Sequence, residues 1–427
     1  MTTSSNTVFV ALSRGYFLRL FEYSGLIDQL IAKFDKDVVV LAPEVALEQV
    51  KAMFAGRDRV TVEPIVTVSE LSFADRVYRA GQFKLAKYRR LSKLWFKSEL
   101  ILNRSRAYDD LFDKYQPDLV VTASTGKHSF EDPLLIRSAR RRSIETLCVV
   151  WSWDNLSLTG PIASRPDHLA VWNDRMFNEA LSIQKYRKDE VSVVGVPQFD
   201  HYFSDGIITS REKFAKRLRL DPEKKIITVA TAPIGSVADH HFLVKLMIEK
   251  LNSGDFGEDV QLLFRPHPME DEDFYSEFSD SGEHRFDFSA AEIDGLDWTP
   301  GYQDSIDLAN VLFHTDVLVN IASTVTLEAA ILDTAIVNVA FTLTEPERFA
   351  RKVIQDHYGA HFKHVFEANA SKIVFSEEEL TEAVMLLLEE PSSMRENRRK
   401  LAEATCDRLD GSGTGRTASL INELAAR

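Results

Sequence analysis

The chain has 427 residues, a length that suggests two domains of roughly 200 residues each and not one hydrophobic core. Its formal net charge of −14 argues against a nucleic-acid partner held by a global positive field. The two cysteines, Cys148 and Cys406, build neither a disulfide framework nor a cysteine metal site. With no apolar run of 18 residues and a polar beginning, we expect a cytoplasmic protein.

The first half of the sequence alternates β-branched runs with helical stretches. Residues 7–12 and 37–41 are predicted strands on either side of a helical stretch at 17–34. More strands are predicted at residues 118–123, 147–151, 169–172 and 191–194. The turn Ser13-Arg14-Gly15 after the first strand carries a single glycine, far less than a three-glycine dinucleotide fingerprint. We therefore expect no Rossmann cofactor there.

A basic segment occupies residues 73–106. It carries ten Lys or Arg against two acidic residues, with aromatic residues interleaved. One hypothesis is docking on an anionic membrane surface, which would make the protein peripheral to the inner membrane, or on an anionic lipid-linked acceptor. A solvated helix with its aromatic side chains in the core explains the pattern equally well.

Two acidic residues, Glu131 and Asp132, follow the predicted strand at 118–123 and precede Pro133. Carboxylates suit the first turn of a helix, because they complement the helix dipole. A carboxylate at the mouth of a cleft can also act as a general base that takes a proton from an attacking hydroxyl. Both interpretations stay open, and His128 is a reserve candidate.

The second half restarts after a linker near 204–209, so we predict domains at 1–205 and 210–427. Strands are predicted at 225–230 and 260–264, and the latter ends in Arg265-Pro266-His267-Pro268. The prolines stop the strand and present Arg265 and His267 at its carboxyl end, where open α/β sheets bind ligands. Arginine and histidine together suit a phosphate, although an ordinary proline turn is an equal alternative.

A hydroxyl-rich turn follows the predicted strand at 316–321. Ser323 and Thr324 stand where a helix begins, so hydroxyls and free amides can bind a phosphate together, and Glu328 can accept from ribose hydroxyls. Plain helix capping also explains Ser323. If neighbouring parallel strands carry both stretches, they meet at one sheet edge. Asp271 and Asp273 form an Asp-x-Asp within a run of surface acids, and we expect no metal there.

Alternating strands and helices in both halves predict an α/β protein with two Rossmann-like domains facing a cleft. The sequence resembles GT-B fold bacterial surface-polysaccharide transferases, especially the CDP-glycerol glycerophosphotransferase and bacterial polysialyltransferase-like group. The resemblance spans most of the chain. It rests on the HP motif, the Ser323-Thr324 motif, the Glu131-Asp132 pair, the late Asp410-Gly411 with Arg416, and the loops SWDN (152–155) and GVPQFD (195–200).

The resemblance implies a catalytic role for His267, which would contact the donor phosphate that Ser323 and Thr324 bind, and Glu131 would be the base. The expected enzyme moves a sugar or a polyol phosphate from a nucleotide-activated donor, with CMP or CDP favoured, to a growing polysaccharide or lipid-linked acceptor. No cofactor is expected. The alternatives are a sugar-nucleotide 2-epimerase and a non-catalytic protein that binds a nucleotide or a glycan. The last helix is expected to cross back onto the first domain.

Overall fold

The computed structural model describes residues 6–66, 106–124, 131–158, 162, 164–231, 241–268, 270, 272–278, 282–289, 296, 301–321, 323–342 and 362–427. His128, Asp271 and nearly all of the basic segment 73–106 lie outside these residues. The chain forms two compact units. Unit 1 comprises Met1–Asp200, Ile293–Thr299 and Cys406–Arg427, and unit 2 comprises His201–Glu292 and Pro300–Thr405.

Unit 1 contains a parallel sheet of seven strands in the order β3-β2-β1-β4-β5-β6-β7. The strands are β1 (Thr7–Ala11), β2 (Asp37–Ala42), β3 (Val60–Pro64), β4 (Leu119–Thr122), β5 (Glu145–Val149), β6 (His168–Val171) and β7 (Val191–Val193). Because β1 is buried along its whole length and lies between β2 and β4, it needs no polar alternation. This explains the continuous apolar runs of the sequence.

The described helices of unit 1 connect these strands. They are α1 (Leu18–Phe21), α2 (Leu26–Phe34), α3 (Leu47–Met53), α4 (Asp109–Tyr115), α5 (Glu131–Arg141), α6 (Asn155–Leu158) and α7 (Asp174–Ser182), and the chain's last helix, which we number α15 (Gly413–Ala425), also belongs to this unit. Short 3₁₀ helices occur at Gly15–Phe17, Glu44–Ala46, Lys188–Glu190 and Pro197–Phe203. Helix α15 packs against α2, so the end of the chain completes a core that its first residues begin.

Unit 2 contains a parallel sheet of six strands in the order β10-β9-β8-β11-β12-β13. The strands are β8 (Lys225–Ala230), β9 (Val260–Arg265), β10 (His284–Phe286), β11 (Val317–Asn320), β12 (Ala335–Val339) and β13 (Lys372–Val374). The helices of this unit are α8 (Arg211–Leu218), α9 (Phe242–Asn252), α10 (Tyr302–His314), α11 (Val325–Ile331), α12 (Lys363–Glu367), α13 (Glu377–Glu389) and α14 (Arg395–Cys406), with a 3₁₀ helix at Glu272–Tyr275.

The predicted α/β class and GT-B-like two-domain fold are confirmed by these two parallel sheets. The long β-branched runs form strands where they were expected. Four strands were missed, namely β3, β10, β12 and β13. Three of them, β3, β10 and β13, lie at sheet edges and are mixed in burial, which removes the continuous apolar signal. In the described part of the chain, no helix has the length and apolarity needed to span a membrane.

Candidate active site

The strand order of each unit reverses direction once, and ligands of open α/β sheets bind at such a point. In unit 2 the reversal lies between β8 and β11, where the chain continues from Ala230 to Thr231 and from Asn320 to Ser323. In unit 1 it lies between β1 and β4, which lead to Ser13 and Ser124. Four of the stretches singled out in the sequence follow these strands or the adjacent β9: Ser13-Arg14-Gly15, Glu131-Asp132, Arg265-Pro266-His267-Pro268 and Ser323-Thr324.

His267 follows β9 by two residues and is partly buried. Burial lowers the pKa of its imidazole from 6.5 to about 4, a shift that the negative charge of Glu270 opposes. At neutral pH the ring is therefore uncharged, and it can donate one hydrogen bond to a phosphate but brings no positive charge. The sequence prediction of a histidine at the carboxyl end of a buried strand agrees with its position here.

The backbone of His267 is held by a buried polar network. Its N–H donates to Thr231 Oγ1 at 2.9 Å and to Glu270 Oε2 at 3.1 Å. The same carboxylate oxygen accepts from the hydroxyls of Thr231 at 2.6 Å and Tyr275 at 2.7 Å. Sequence analysis missed all three partners. A Glu three residues after the histidine was a visible signal, because that spacing lets a side chain close its own turn.

Arg265 lies at the predicted end of its strand, and its guanidinium is bound by two carboxylates. It is the last residue of β9 and is only 7% exposed. Its guanidinium donates to Asp287 Oδ2 at 2.7 Å and also forms an ion pair with Asp304. These contacts bind β9 to the residue after β10 and to the first turn of α10. A phosphate-binding role for Arg265 stays a prediction, and the visible contacts describe a buried structural arginine.

Ser323 and Thr324 precede α11, and Ser323 is partly exposed while Thr324 is exposed. Thr324 is the N-cap of this helix, yet its side chain makes no capping hydrogen bond. Glu328 is only 4% exposed, so its carboxylate lies mostly inside the unit. Its contact with a ribose stays a prediction.

The start of α11 is held by the buried side-chain amides of two neighbouring strands, β11 and β12. Asn320 and Asn338 face each other in the register of β11 and β12, and both side-chain oxygens lie within 3.1 Å of the Thr326 hydroxyl. Asn338 also donates to Ser371 Oγ at 2.7 Å. This network explains why a strand with an asparagine in its middle, β12, is fully buried.

The HP motif and the Ser323-Thr324 motif occupy the same edge of the unit 2 sheet, but not neighbouring strands. The expectation that they would be adjacent was wrong, because β8 lies between β9 and β11. With strands spaced about 4.8 Å apart, two strand intervals separate the motifs by roughly 10 Å along the edge. Both motifs therefore border the stretch that follows β8, which begins at Thr231.

In unit 1, Glu131 and Asp132 begin α5, and their surroundings differ. Asp132 is fully buried, and its Oδ2 accepts from the backbone N–H of Ser124 at 3.0 Å, so it holds the residue after β4. Glu131 forms an ion pair with Arg14, whose Nη2 lies 3.8 Å from Oε2. Arg14 comes from the turn after β1, at the reversal point, and its side chain is 22% exposed.

The other motifs of the resemblance have local structural contacts within unit 1. Asp154 accepts from the Ser152 hydroxyl at 2.6 Å, which closes the SWDN loop. Asp200 of the GVPQFD turn accepts from the N–H groups of Gly413 at 3.0 Å and Thr414 at 2.7 Å. Arg416 pairs with Asp410 at 2.8 Å. The contacts of Asp200 fasten the start of α15 to the unit.

No described side chains form a metal centre: within the part of the chain that the structure covers, no group of three or more His, Cys, Asp or Glu is arranged to hold a metal ion. Asp273 lies in the 3₁₀ helix Glu272–Tyr275.

The sequence model of one family, CDP-glycerol:poly(glycerophosphate) glycerophosphotransferase, matches residues 159–423. This stretch is more than half of the chain and includes both motifs of unit 2. The protein belongs to this family, and the resemblance to its members is confirmed. It is thus a transferase by family. A search of curated proteins gave no match.

Solved structures with the same fold come from two enzyme classes. A UDP-N-acetylglucosamine 2-epimerase has a TM-score of 0.59 at 16% identity, covering 99% of this chain and 96% of that one. The UDP-GlcNAc 2-epimerase of Neisseria meningitidis, bound to UDP-GlcNAc, has a TM-score of 0.57 at 13% identity, with 98% and 99% covered. The wall teichoic acid polymerase TagF has a TM-score of 0.55 at 12% identity, with 99% and 90% covered. At these identities the similarity shows the fold alone.

Proposed function

We propose that the protein transfers a polyol phosphate, with CDP-glycerol as the donor class, to a hydroxyl of a growing surface polymer. The observation that carries this proposal is the family match, which spans both the HP motif and the Ser323-Thr324 motif. In such a transfer the acceptor oxygen forms a bond to the β-phosphorus of the donor. The bond between that phosphorus and the bridging oxygen breaks, and CMP leaves with its electron pair.

The donor phosphates are assigned to the reversal point of unit 2. Ser323 and Thr324 offer exposed or partly exposed hydroxyls there, and His267 offers a neutral imidazole as a hydrogen-bond donor. Phosphoryl transfer depends mostly on positioning and on stabilising charge that develops on the oxygens. Fixed neutral donors can serve both purposes, and each good contact contributes a few kcal/mol to the transition state.

Glu131 is assigned as the general base that removes the proton from the acceptor hydroxyl. Its carboxylate lies 3.8 Å from the guanidinium of Arg14, which comes from the turn after β1 at the reversal point of unit 1. Asp132 is the weaker candidate, because its Oδ2 already accepts the backbone N–H of Ser124 and its side chain is fully buried, whereas Glu131 keeps 6% exposure. We assign Asp132 to holding the first turn of α5 in place. This assignment separates the two members of the acidic pair by function.

The growing polymer is assigned as the acceptor, and the basic segment 73–106 is proposed to guide an anionic acceptor or to hold the protein at the inner membrane surface. The segment's positive charge in an otherwise acidic chain supports this part of the proposal. The epimerase alternative shares the fold, but the family match favours transfer over epimerisation.

The proposal predicts that CDP-glycerol raises the melting temperature of the wild-type protein and that UDP-GlcNAc does not. Binding stabilises the native state by RT ln(1 + [L]/Kd), so a concentration of 100 Kd gives about 2.7 kcal/mol. His267→Ala and the double change Ser323→Ala with Thr324→Ala should each weaken this stabilisation. Glu131→Gln should keep it and lose about 100-fold in transfer of radiolabelled glycerol phosphate.

Asp132→Asn is the matched comparison for Glu131→Gln, because the two positions are adjacent in one helix turn. We expect Asp132→Asn to lower the melting temperature more than the turnover of the folded fraction. Stabilisation by UDP-GlcNAc together with formation of an epimerised sugar nucleotide would refute the transfer proposal. Stabilisation by CDP-glycerol without any turnover would favour a non-catalytic binding protein.

A further inference from the structure

His267 begins a turn that is closed by the side chain of Glu270, a residue of the same turn. The backbone N–H of Glu270 donates to the carbonyl of His267 at 2.8 Å, and the Glu270 carboxylate returns to the N–H of His267 at 3.1 Å. A turn held by both backbone and side chain leaves few conformations to the residue at its start. The backbone from which the imidazole extends is thereby held by a residue that lies three positions later.

The same carboxylate is anchored from two other elements. Thr231, the residue after β8, donates its hydroxyl to Glu270 at 2.6 Å, and Tyr275 of the 3₁₀ helix donates at 2.7 Å. Glu270 and Thr231 are 7% exposed and Tyr275 is 2% exposed. Hydrogen bonds to an ionised acceptor are about twice as strong as neutral ones, and removing one partner of a buried set leaves the other partner unsatisfied.

Tyr275 is itself fixed by aromatic packing. Its ring centroid lies 5.5 Å from that of Phe286 on β10 and 5.9 Å from that of Phe288. The aromatic packing therefore fixes the ring from which the phenol hydroxyl reaches the carboxylate. Burial and, second, the hydrogen bond to Glu270 raise the pKa of this phenol. The network thus joins the ends of β8 and β9 to the edge strand β10.

We propose that Glu270 is a positioning residue for phosphate transfer, which acts through His267. Glu270 and Thr231 accept the backbone N–H of His267, and Tyr275 holds the Glu270 carboxylate in place. The inference rests on the proposed function, since it needs His267 to contact the donor. Glu270 does not touch the reacting atoms in this scheme. Its carboxylate keeps the turn closed, so that the imidazole meets the donor phosphate at hydrogen-bond distance without reorganisation.

The test is a double-mutant cycle on turnover, with CDP-glycerol as the donor. Glu270→Gln keeps the shape but removes the charge, and we expect kcat to fall about tenfold with little change in KM. Thr231→Val should cost a similar factor, whereas Thr231→Ser, which restores the hydroxyl, should recover most of the activity. If Glu270 acts through His267, adding Glu270→Gln to His267→Ala should lower the remaining turnover by less than twofold.

Thr228→Val is the matched control. Thr228 lies on β8, three residues before Thr231, and its buried hydroxyl pairs with that of Thr315. We expect this change to lower stability and leave kcat unchanged. A tenfold loss that persists in the His267→Ala background, or an equal loss of kcat in Thr228→Val, would overturn the inference. Full activity in His267→Ala would instead refute the assignment of His267 to the donor site, whereas no turnover of CDP-glycerol by the wild type would refute the proposed function, so these failures are distinct.

Discussion

At the scale of single residues, the most telling group is the imidazole of His267. Its pKa of about 4 means that the folded protein leaves the ring unprotonated over a range where the unfolded chain, with a pKa near 6.5, binds a proton. Stability is therefore fully present at neutral pH and falls as the pH drops from about 6.5 towards 4. From this group alone, we expect a loss of about 2 kcal/mol between pH 7 and pH 5.

The comparison that isolates this effect is His267→Asn, measured by urea unfolding at several pH values. The variant should lose about 2 kcal/mol less than the wild type over the same interval, because asparagine does not titrate. His314, whose pKa is also lowered by burial, stays the same in both proteins and cancels. Parallel pH profiles for the two proteins would show that His267 is protonated in the native state as readily as in the unfolded one.

Residue identities near a strand end were predictable from the sequence, whereas their partners were not. Arg265 and His267 stand where the prolines indicated. The sequence could not reveal that Arg265 forms ion pairs with Asp287 and Asp304, which lie 22 and 39 positions later. Ion pairs between residues so far apart in sequence leave no periodic signal. The same holds for Thr231, which lies 36 positions before His267.

At the scale of elements, the interior strands were recognised except for β12, whereas only one of the four edge strands, β7, was predicted. The buried apolar run of β8 was located from 225 to 230 without error. By contrast β12 was overlooked although it is fully buried, because Asn338 interrupts its apolar pattern. The asparagine is tolerated since Thr326 and Ser371 satisfy its amide, and such a network is visible only in three dimensions.

The N-terminus of α15 gives a prediction at this scale. A Cβ added at Gly413 would lie 3.1 Å from backbone atoms of Val196 and Pro197, which cannot yield like a flexible side chain. At Gly415 the added atom would meet only Gln29 Oε1 at 3.6 Å. We expect Gly413→Ala to destabilise the protein by about 1–3 kcal/mol, and Gly415→Ala to stabilise it by about 0.5–1 kcal/mol, as alanine favours helix.

Thermal or urea unfolding of the two variants tests this directly, because both changes add one methyl group to the same helix. The expected signs are opposite. Equal effects would mean that helix propensity alone decides, and that the close approach of α15 to the turn at Val196 and Pro197 contributes nothing to stability. The capping bonds from Asp200 are unchanged in both variants, so they do not enter the comparison.

At the scale of the whole molecule, unit 1 is built from both ends of the chain. Its core contains Leu26 and Leu30 of α2 together with Ile421 and Leu424 of α15. Burying an aliphatic side chain of this size contributes about 1.5–3 kcal/mol, and truncating it to alanine in a packed core costs about 2–5 kcal/mol. A residue near the end of the sequence therefore helps to determine the stability of elements close to its beginning.

Ile421→Ala should accordingly weaken hydrogen-exchange protection in peptides that cover α2 and β1, by about 2–4 kcal/mol in opening free energy. Peptides from β8 and β9 should keep their protection, because their core residues belong to unit 2. Glu423→Ala, on the exposed side of the same helix, removes only the ion pair with Arg427 and should change protection by less than about 0.5 kcal/mol. Loss of protection confined to residues 413–425 would show that α15 unfolds by itself, without the rest of unit 1.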